Sequence, residues 1–335
     1  MMPGEPVIDT VDSAALNAAA ATAAAAGAVS APPASVVMNV SSLWPPNGTV
    51  VFRNVTMRYR EGLDPVLKKL SFTIHDKEKI GVVGRTGSGK SSLMNSLLRI
   101  IDIADPINEG SIFIGDDNIA AIGLDRLRRG LAIIPQEPVL FCGTLRYNID
   151  PFNEHTDDEL WNALTLSGLQ SVVMNLKGRL LADVEEGGAN FSVGQRQMIC
   201  VARALVRHPR ILLLDEATAS IDLETDQLIQ DTVRKHFQDC TVITIAHRLH
   251  TVLDCNRIMV LDAGEIVEFD SPFNLLNLQE EEEGGGAGAG GVPPLVSSKP
   301  SKGSLASLVR DTGKASERKL KAIAKQRESK RRQGQ

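Results

Sequence analysis

An apolar run, Ile80-Gly81-Val82-Val83, opens onto Gly84-Arg85-Thr86-Gly87-Ser88-Gly89-Lys90-Ser91 and then onto the helical pattern Ser91-Ser92-Leu93-Met94-Asn95-Ser96-Leu97-Leu98. Strand, glycine-rich loop ending in Lys-Ser, then helix is the setting in which the spacing G-x-x-x-x-G-K-[ST] binds phosphate. Glycines allow a tight turn and a close approach to an anion because no Cβ intervenes. Successive backbone N–H groups then converge on one concavity, and the N-terminus of the helix adds positive potential. Lys90 is placed to reach β- and γ-phosphates, and the Ser91 hydroxyl to hold Mg²⁺. The bland alternative is a glycine-rich turn that only joins a strand to a helix, and the complete Lys-Ser ending argues against it. A nucleotide-binding α/β domain is expected.

The 335 residues suit one large α/β domain with tails rather than two domains. A formal net charge of −5 gives no argument for nucleic acid. From Ser298 onward there are twelve Lys/Arg against three Asp/Glu, so the rest of the chain is acidic. Cys142, Cys200, Cys240 and Cys255 form no C-x-x-C pair, which points to reduced thiols rather than a zinc site or a disulfide framework. Residues 1–47 read as a disordered alanine-rich segment followed by a Trp44-Pro45-Pro46 linker, without a basic signal-peptide start or a membrane-spanning run.

The folded part is expected over 48–279. It begins with short strands at Thr49–Phe52, Val55–Tyr59 and Val66–Ile74, read as a small antiparallel layer. Tyr59, between two arginines, is either a half-exposed strand residue or a platform for an adenine ring. Further strands are expected at Gly110–Ile114 and Leu131–Gln136, with Pro135 ending the second so that Gln136 opens a loop. Thr156-x-x-Glu159 has the form of a capping box ahead of a helix. Ser192-Val193-Gly194-Gln195 opens another helix, whose N-terminus suits an anion.

Ile211-Leu212-Leu213-Leu214-Asp215-Glu216 is an apolar strand ending in two carboxylates. Such a strand belongs in a parallel sheet covered on both faces, and its C-terminal end is where these sheets bind ligands. Asp215 fits an acid that holds Mg²⁺, and Glu216 a residue that polarises the attacking water. Thr241–His247 repeats the pattern and sets His247 beside the expected γ-phosphate. Arg257–Leu261 and Glu265–Phe269 form a hairpin. Residues 280–302 read as a disordered acidic, Gly-rich insertion. Helical spacing returns over 303–325, and a basic tail closes the chain at 326–335.

In order and spacing these motifs resemble the nucleotide-binding domain of ABC transporters, from about Gly48 to Asp270. Gly84–Ser91 is similar to Walker A, Ile211–Asp215 to Walker B and Glu216 to the catalytic glutamate. Gln136 resembles the Q-loop glutamine, Ala219-Ser220-Ile221-Asp222 the D-loop and His247 the switch histidine. Phe191-Ser192-Val193-Gly194-Gln195 resembles the LSGGQ signature, with Phe191 and Val193 as departures. Ile134–Pro138, Asn148–Phe152, Thr244–Thr251 and Ser307–Gly313 further resemble the second nucleotide-binding domain of the multidrug-resistance-associated (C) subfamily.

The resemblance implies a P-loop ABC cassette: a mainly parallel RecA-like sheet flanked by helices, an antiparallel β layer and a helical subdomain. It implies ATP and Mg²⁺ as ligands, with Ser91, Gln136 and Asp215 organising the metal. The implied partners are transmembrane domains and a second nucleotide-binding domain in a head-to-tail sandwich, at the cytoplasmic face of a membrane. Ser192, Gly194 and Gln195 would then close the partner's site. Members of the subfamily carry membrane helices on the same chain, so the sequence reads as a piece of a longer protein in preference to a separate subunit. A soluble, non-transporting ABC ATPase and a nucleotide-gated regulatory module are the rival readings.

Overall fold

The structure is a computed structural model that describes residues 44–103, 107–215, 222–246, 248–277 and 304–332. The alanine-rich start, the Glu/Gly insertion, Glu216 with Ala219-Ser220-Ile221, and His247 lie outside these residues.

Strands β1 (Val50–Met57) and β2 (Leu67–Ile74) lead into β3 (Lys79–Val83) and helix α1 (Lys90–Leu97). Next come β4 (Glu109–Ile114), β5 (Asp117–Asn118), α2 (Leu124–Gly130), β6 (Leu131–Ile134) and β7 (Gly143–Thr144). A helical stretch follows, with α3 (Leu145–Ile149), α4 (Asp157–Leu166), α5 (Gln170–Met174), β8 (Asp183–Val184) and α6 (Val193–Arg207). The chain returns through β9 (Ile211–Asp215), α7 (Leu223–His236), β10 (Thr241–Ile245), α8 (Leu249–Val252), β11 (Arg257–Asp262) and β12 (Glu265–Asp270). It ends with α9 (Pro272–Asn277), α10 (Leu305–Asp311) and α11 (Lys314–Arg332).

The central sheet has six strands in the order β12-β11-β3-β10-β9-β6, parallel except for the β11–β12 hairpin. Side chains alternate between faces in a strand, which explains why β9 is apolar throughout. Ile211 and Leu213 enter the core shared with β1, β2, β4 and α1, whereas Leu212 and Leu214 enter the core under α3, α4 and α6. The second sheet, β2-β1-β4-β5, is antiparallel. Its Phe52 and Phe72 face each other across β1 and β2, with ring centroids 4.5 Å apart.

The first strands and the linker differ from expectation. The strands read at Thr49–Phe52 and Val55–Tyr59 are one strand, β1, interrupted by a bulge. Asn54 takes a left-handed φ of 48° there, which asparagine tolerates better than most residues. Trp44 and Pro45, read as linker, pack on the domain. The Trp44 indole N–H donates to Asp117 at 2.9 Å, and its ring lies so close to Gly130 that a Cβ there would meet it at 2.5 Å.

The helix starts are fixed locally. In α4 the Thr156 hydroxyl accepts from Glu159 N–H while the Glu159 carboxylate accepts from Thr156 N–H, the expected capping box. The Thr156 N–H, and then its hydroxyl, donate to the Glu159 carboxylate and hold it below its ordinary range.

Helices α9, α10 and α11 build a third core with β11 and Val83, in which Leu275, Leu305, Val309, Leu320 and Ala324 are buried. Helix α11 continues through Arg332 instead of giving way to a tail at 326. Lysine and arginine are good helix formers, so the packed turn around Leu320 and Ala324 propagates through the basic stretch.

Glu268 of β12 accepts the Leu305 N–H at 2.7 Å and so ties the start of α10 to the sheet edge. Burial raises its pKa above the ordinary 4.5, only partly offset by that hydrogen bond. The folded state therefore holds the proton more tightly than the unfolded one. This contribution to stability is complete in acid and is lost as pH rises from the ordinary glutamate value through the folded one. Glu268→Gln is expected to remove that decline and to match or exceed the parent near neutral pH. Thermal unfolding of both proteins across about pH 4 to 8 checks it.

Candidate functional site

Strand β3 delivers the chain to the sheet's C-terminal edge at Val83, and the loop begins with Gly84 at φ 156°. A Cβ on Gly84 would lie 2.2 Å from the Leu261 carbonyl oxygen. Gly89, at φ 105° directly before α1, would put a Cβ 2.9 Å from the Leu67 side chain. Both positions therefore need glycine for space as well as for conformation.

Lys90, the first residue of α1, is 6% exposed, and its Nζ donates to the carbonyls of Gly84 (2.8 Å) and Arg85 (3.0 Å). The ammonium thus lies across the concave side of the loop. No acidic side chain occupies the first turn of α1, so nothing there offsets the positive end of the helix. Ser88 is 3% exposed and its hydroxyl, shut away from water, has no hydrogen-bond partner among the described residues. A buried hydroxyl without a partner in a glycine-rich loop fits a site completed by an anionic ligand. Tyr59, 44% exposed and just past the end of β1, bonds through its hydroxyl to Ser92 of α1 at 2.9 Å. Its ring is thus held beside the helix that follows the loop.

Register decides what faces the loop. Ile245 of β10 is level with Val82 on one side and with Asp215 on the other. Asp215 therefore lies at the same sheet edge as the phosphate loop, two strand spacings or about 10 Å across from β3. Ile134 of β6 is level with Leu214, which sets Pro135 beside Asp215 and the exposed Gln136 just beyond it. Ser91 at the head of α1, Asp215 and Gln136 offer only oxygen ligands suited to Mg²⁺, namely a hydroxyl, a carboxylate and a side-chain amide. Among the described residues no group of three His, Cys, Asp or Glu gathers as a metal cage.

The head of α6 is a second polar centre. The Ser192 hydroxyl accepts from Gln195 N–H at 3.1 Å, and the Gln195 side-chain oxygen accepts from Ser192 N–H at 3.0 Å. Capping uses only an acceptor of Ser192, so its O–H remains able to donate to an anion. Gly194 lies close against α7, where a Cβ would come within 3.2 Å of Thr225. Asp222 caps α7 by accepting from the Thr225 N–H at 2.9 Å and from its hydroxyl at 2.8 Å, and these bonds keep its pKa low.

Two supports of the site escape a reading of the sequence. The buried Gln197 of α6 donates to the Pro135 carbonyl at 2.9 Å, joining the helix headed by Ser192 to the loop carrying Gln136. The only sign in the sequence is a glutamine on the apolar side of α6. The Gly264 N–H at the β11–β12 turn donates to the Ser88 carbonyl at 3.1 Å, so the hairpin braces the phosphate loop from behind.

Residues 67–219 match the family model described as ABC transporter. The chain carries an ABC transporter domain. ABC transporter C family member 3 of Dictyostelium discoideum is 60% identical over 233 residues, which is 70% of this chain and 16% of that protein. ATP-binding cassette sub-family C member 3 of Rattus norvegicus is 55% identical over 233 residues, again 70% of this chain and 15% of the relative. The chain therefore spans about a sixth of the length of these curated relatives. A solved bacterial Atm1-family ABC exporter with ATP bound is 35% identical with a TM-score of 0.64, covering 70% of this chain and 40% of that one. The parallel sheet with its phosphate loop, the antiparallel layer and the helical layer on α6 form an ABC cassette.

Proposed function

We propose that this ABC domain binds Mg·ATP at the Gly84–Ser91 loop, hydrolyses it to ADP and phosphate, and so drives export of a substrate by a membrane transporter. The alignment of Lys90 and Asp215 on one sheet edge carries the reading, because it sets a cation for phosphate opposite an acid for the metal. Lys90 and the loop amides neutralise charge on the β- and γ-phosphates. Ser91, Gln136 and Asp215 would hold Mg²⁺, which when bound screens the phosphate charge that builds up during transfer. Glu216 orients the attacking water and His247 contacts the γ-phosphate, both roles taken from their positions in the sequence. Catalysis is by positioning and electrostatics, with no covalent enzyme intermediate.

The likeness to an exporter solved with ATP bound supports a membrane partner and a location at the cytoplasmic face. Ser192, Gly194 and Gln195 complete the site of a second nucleotide-binding domain, and that domain's signature completes this one. A strictly monomeric sample is therefore expected to bind ATP and turn it over slowly. Phosphate release per chain should rise with protein concentration or on adding a second nucleotide-binding domain. Vigorous, concentration-independent hydrolysis by monomers would contradict the sandwich.

A further inference from the structure

The bond between Tyr59 and Ser92 joins the antiparallel layer to the first turn of α1 across 33 positions, with the two hydroxyl oxygens 2.9 Å apart. The partners differ sharply in burial. Tyr59 is 44% exposed, whereas Ser92 is 5% exposed. Such a bond adds little to stability, because a half-exposed phenol can bond to water instead. Its consequence falls on the serine.

A serine hydroxyl has one hydrogen to give and two lone pairs to fill. Among the described residues the Ser92 hydroxyl bonds to Tyr59 alone. A phenol is a better donor than an aliphatic hydroxyl, so the favoured arrangement has Tyr59 donating to Ser92 Oγ. The Ser92 hydrogen is then left to be given elsewhere. Ser92 is the third residue of α1, two after Lys90, whose Nζ reaches the Gly84 and Arg85 carbonyls of the phosphate loop. The helix begins with no side-chain cap and no acid in its first turn. Its first N–H groups have no partner within the helix, and the Ser92 O–H adds one more donor to that end.

We propose that Tyr59 is a positioning residue for phosphate: its hydroxyl occupies Ser92 Oγ as an acceptor and so turns the Ser92 O–H toward the phosphate oxygens of the nucleotide. The inference rests on the ATP-site reading given above. It gives the Tyr59 hydroxyl an effect separate from any contact of the ring with a base. For stacking alone phenylalanine would serve as well.

The test is displacement of a fluorescent ATP analogue from the full chain by Mg·ATP or by tripolyphosphate, which has the phosphates and no base. Tyr59→Phe keeps the ring and is expected to weaken both competitors by the same factor, about fivefold. Ser92→Ala should weaken both about tenfold. The double variant Tyr59→Phe/Ser92→Ala should be no weaker than Ser92→Ala alone, because the phenol then has no serine to act through. Thermal unfolding of the ligand-free Tyr59→Phe chain should match the parent. Unchanged affinities in Tyr59→Phe, a loss confined to ATP, or additive losses in the double variant would overturn the proposal while leaving the nucleotide site intact. So would a parent from which ATP displaces the analogue and tripolyphosphate does not, since the phosphates would then contribute too little for the hydroxyl to act through them. A parent chain that binds neither the analogue nor ATP would overturn the ATP-site reading, and this inference with it.

Discussion

With Glu216→Gln the domain is expected to keep its affinity for ATP and to hydrolyse it about 10²–10⁴-fold more slowly. Glutamine has the size of glutamate but cannot take up the proton of an attacking water. Glu216 follows Asp215 directly in the sequence, and Asp215 ends a strand whose register brings that edge level with the phosphate loop. The measurement is phosphate release at concentrations where turnover depends on association, paired with the amount of ATP retained by the protein. Retained ATP with lost turnover supports the role, and unaltered turnover removes Glu216 from it.

Lys90→Ala is expected to act on both steps, weakening ATP and lowering turnover by about 10²–10³-fold. Two effects combine. The ammonium that meets the β- and γ-phosphates is lost, and so are the bonds from Nζ to the Gly84 and Arg85 carbonyls that close the loop before ligand arrives. Affinity by fluorescent-nucleotide titration and turnover by phosphate release are to be compared with the parent. Thermal unfolding should move little, because both carbonyls can turn to water once the lysine is gone. A variant that binds ATP like the parent would show that the loop does not hold the triphosphate.

Local signals made much of this molecule legible. The glycine-lysine loop, the apolar strand ending at Asp215, the Thr156–Glu159 box and the β11–β12 hairpin each depend on residues within a few positions of one another. The contacts that could not be read are long-range. Trp44 meets Asp117 across 73 positions, Gln197 meets Pro135 across 62, and Asp226 meets Arg248 from a separate element. Nothing in the local pattern of any of these residues names its partner. The β1 bulge was hidden for another reason, since Asn54 interrupts the alternation and reads as a break between strands rather than as one extra residue within a strand.

The phosphate loop gives the same lesson at the site itself. Its glycine spacing was evident, but the crowding at Gly84 by the Leu261 carbonyl and the brace from Gly264 come from β11 and its turn, more than 170 residues later. The hairpin therefore shapes the phosphate loop through its backbone contacts.

The central claim is that a triphosphate nests in the amides around Lys90 with its metal facing Asp215. Calorimetric titration of the full chain with ATP, with and without Mg²⁺, tests it most directly. The account predicts one ATP per chain, tighter binding with Mg²⁺, and loss of that Mg²⁺ advantage in Asp215→Asn. A parent chain that takes up no ATP, or an Asp215→Asn chain that gains as much from Mg²⁺ as the parent, would contradict it.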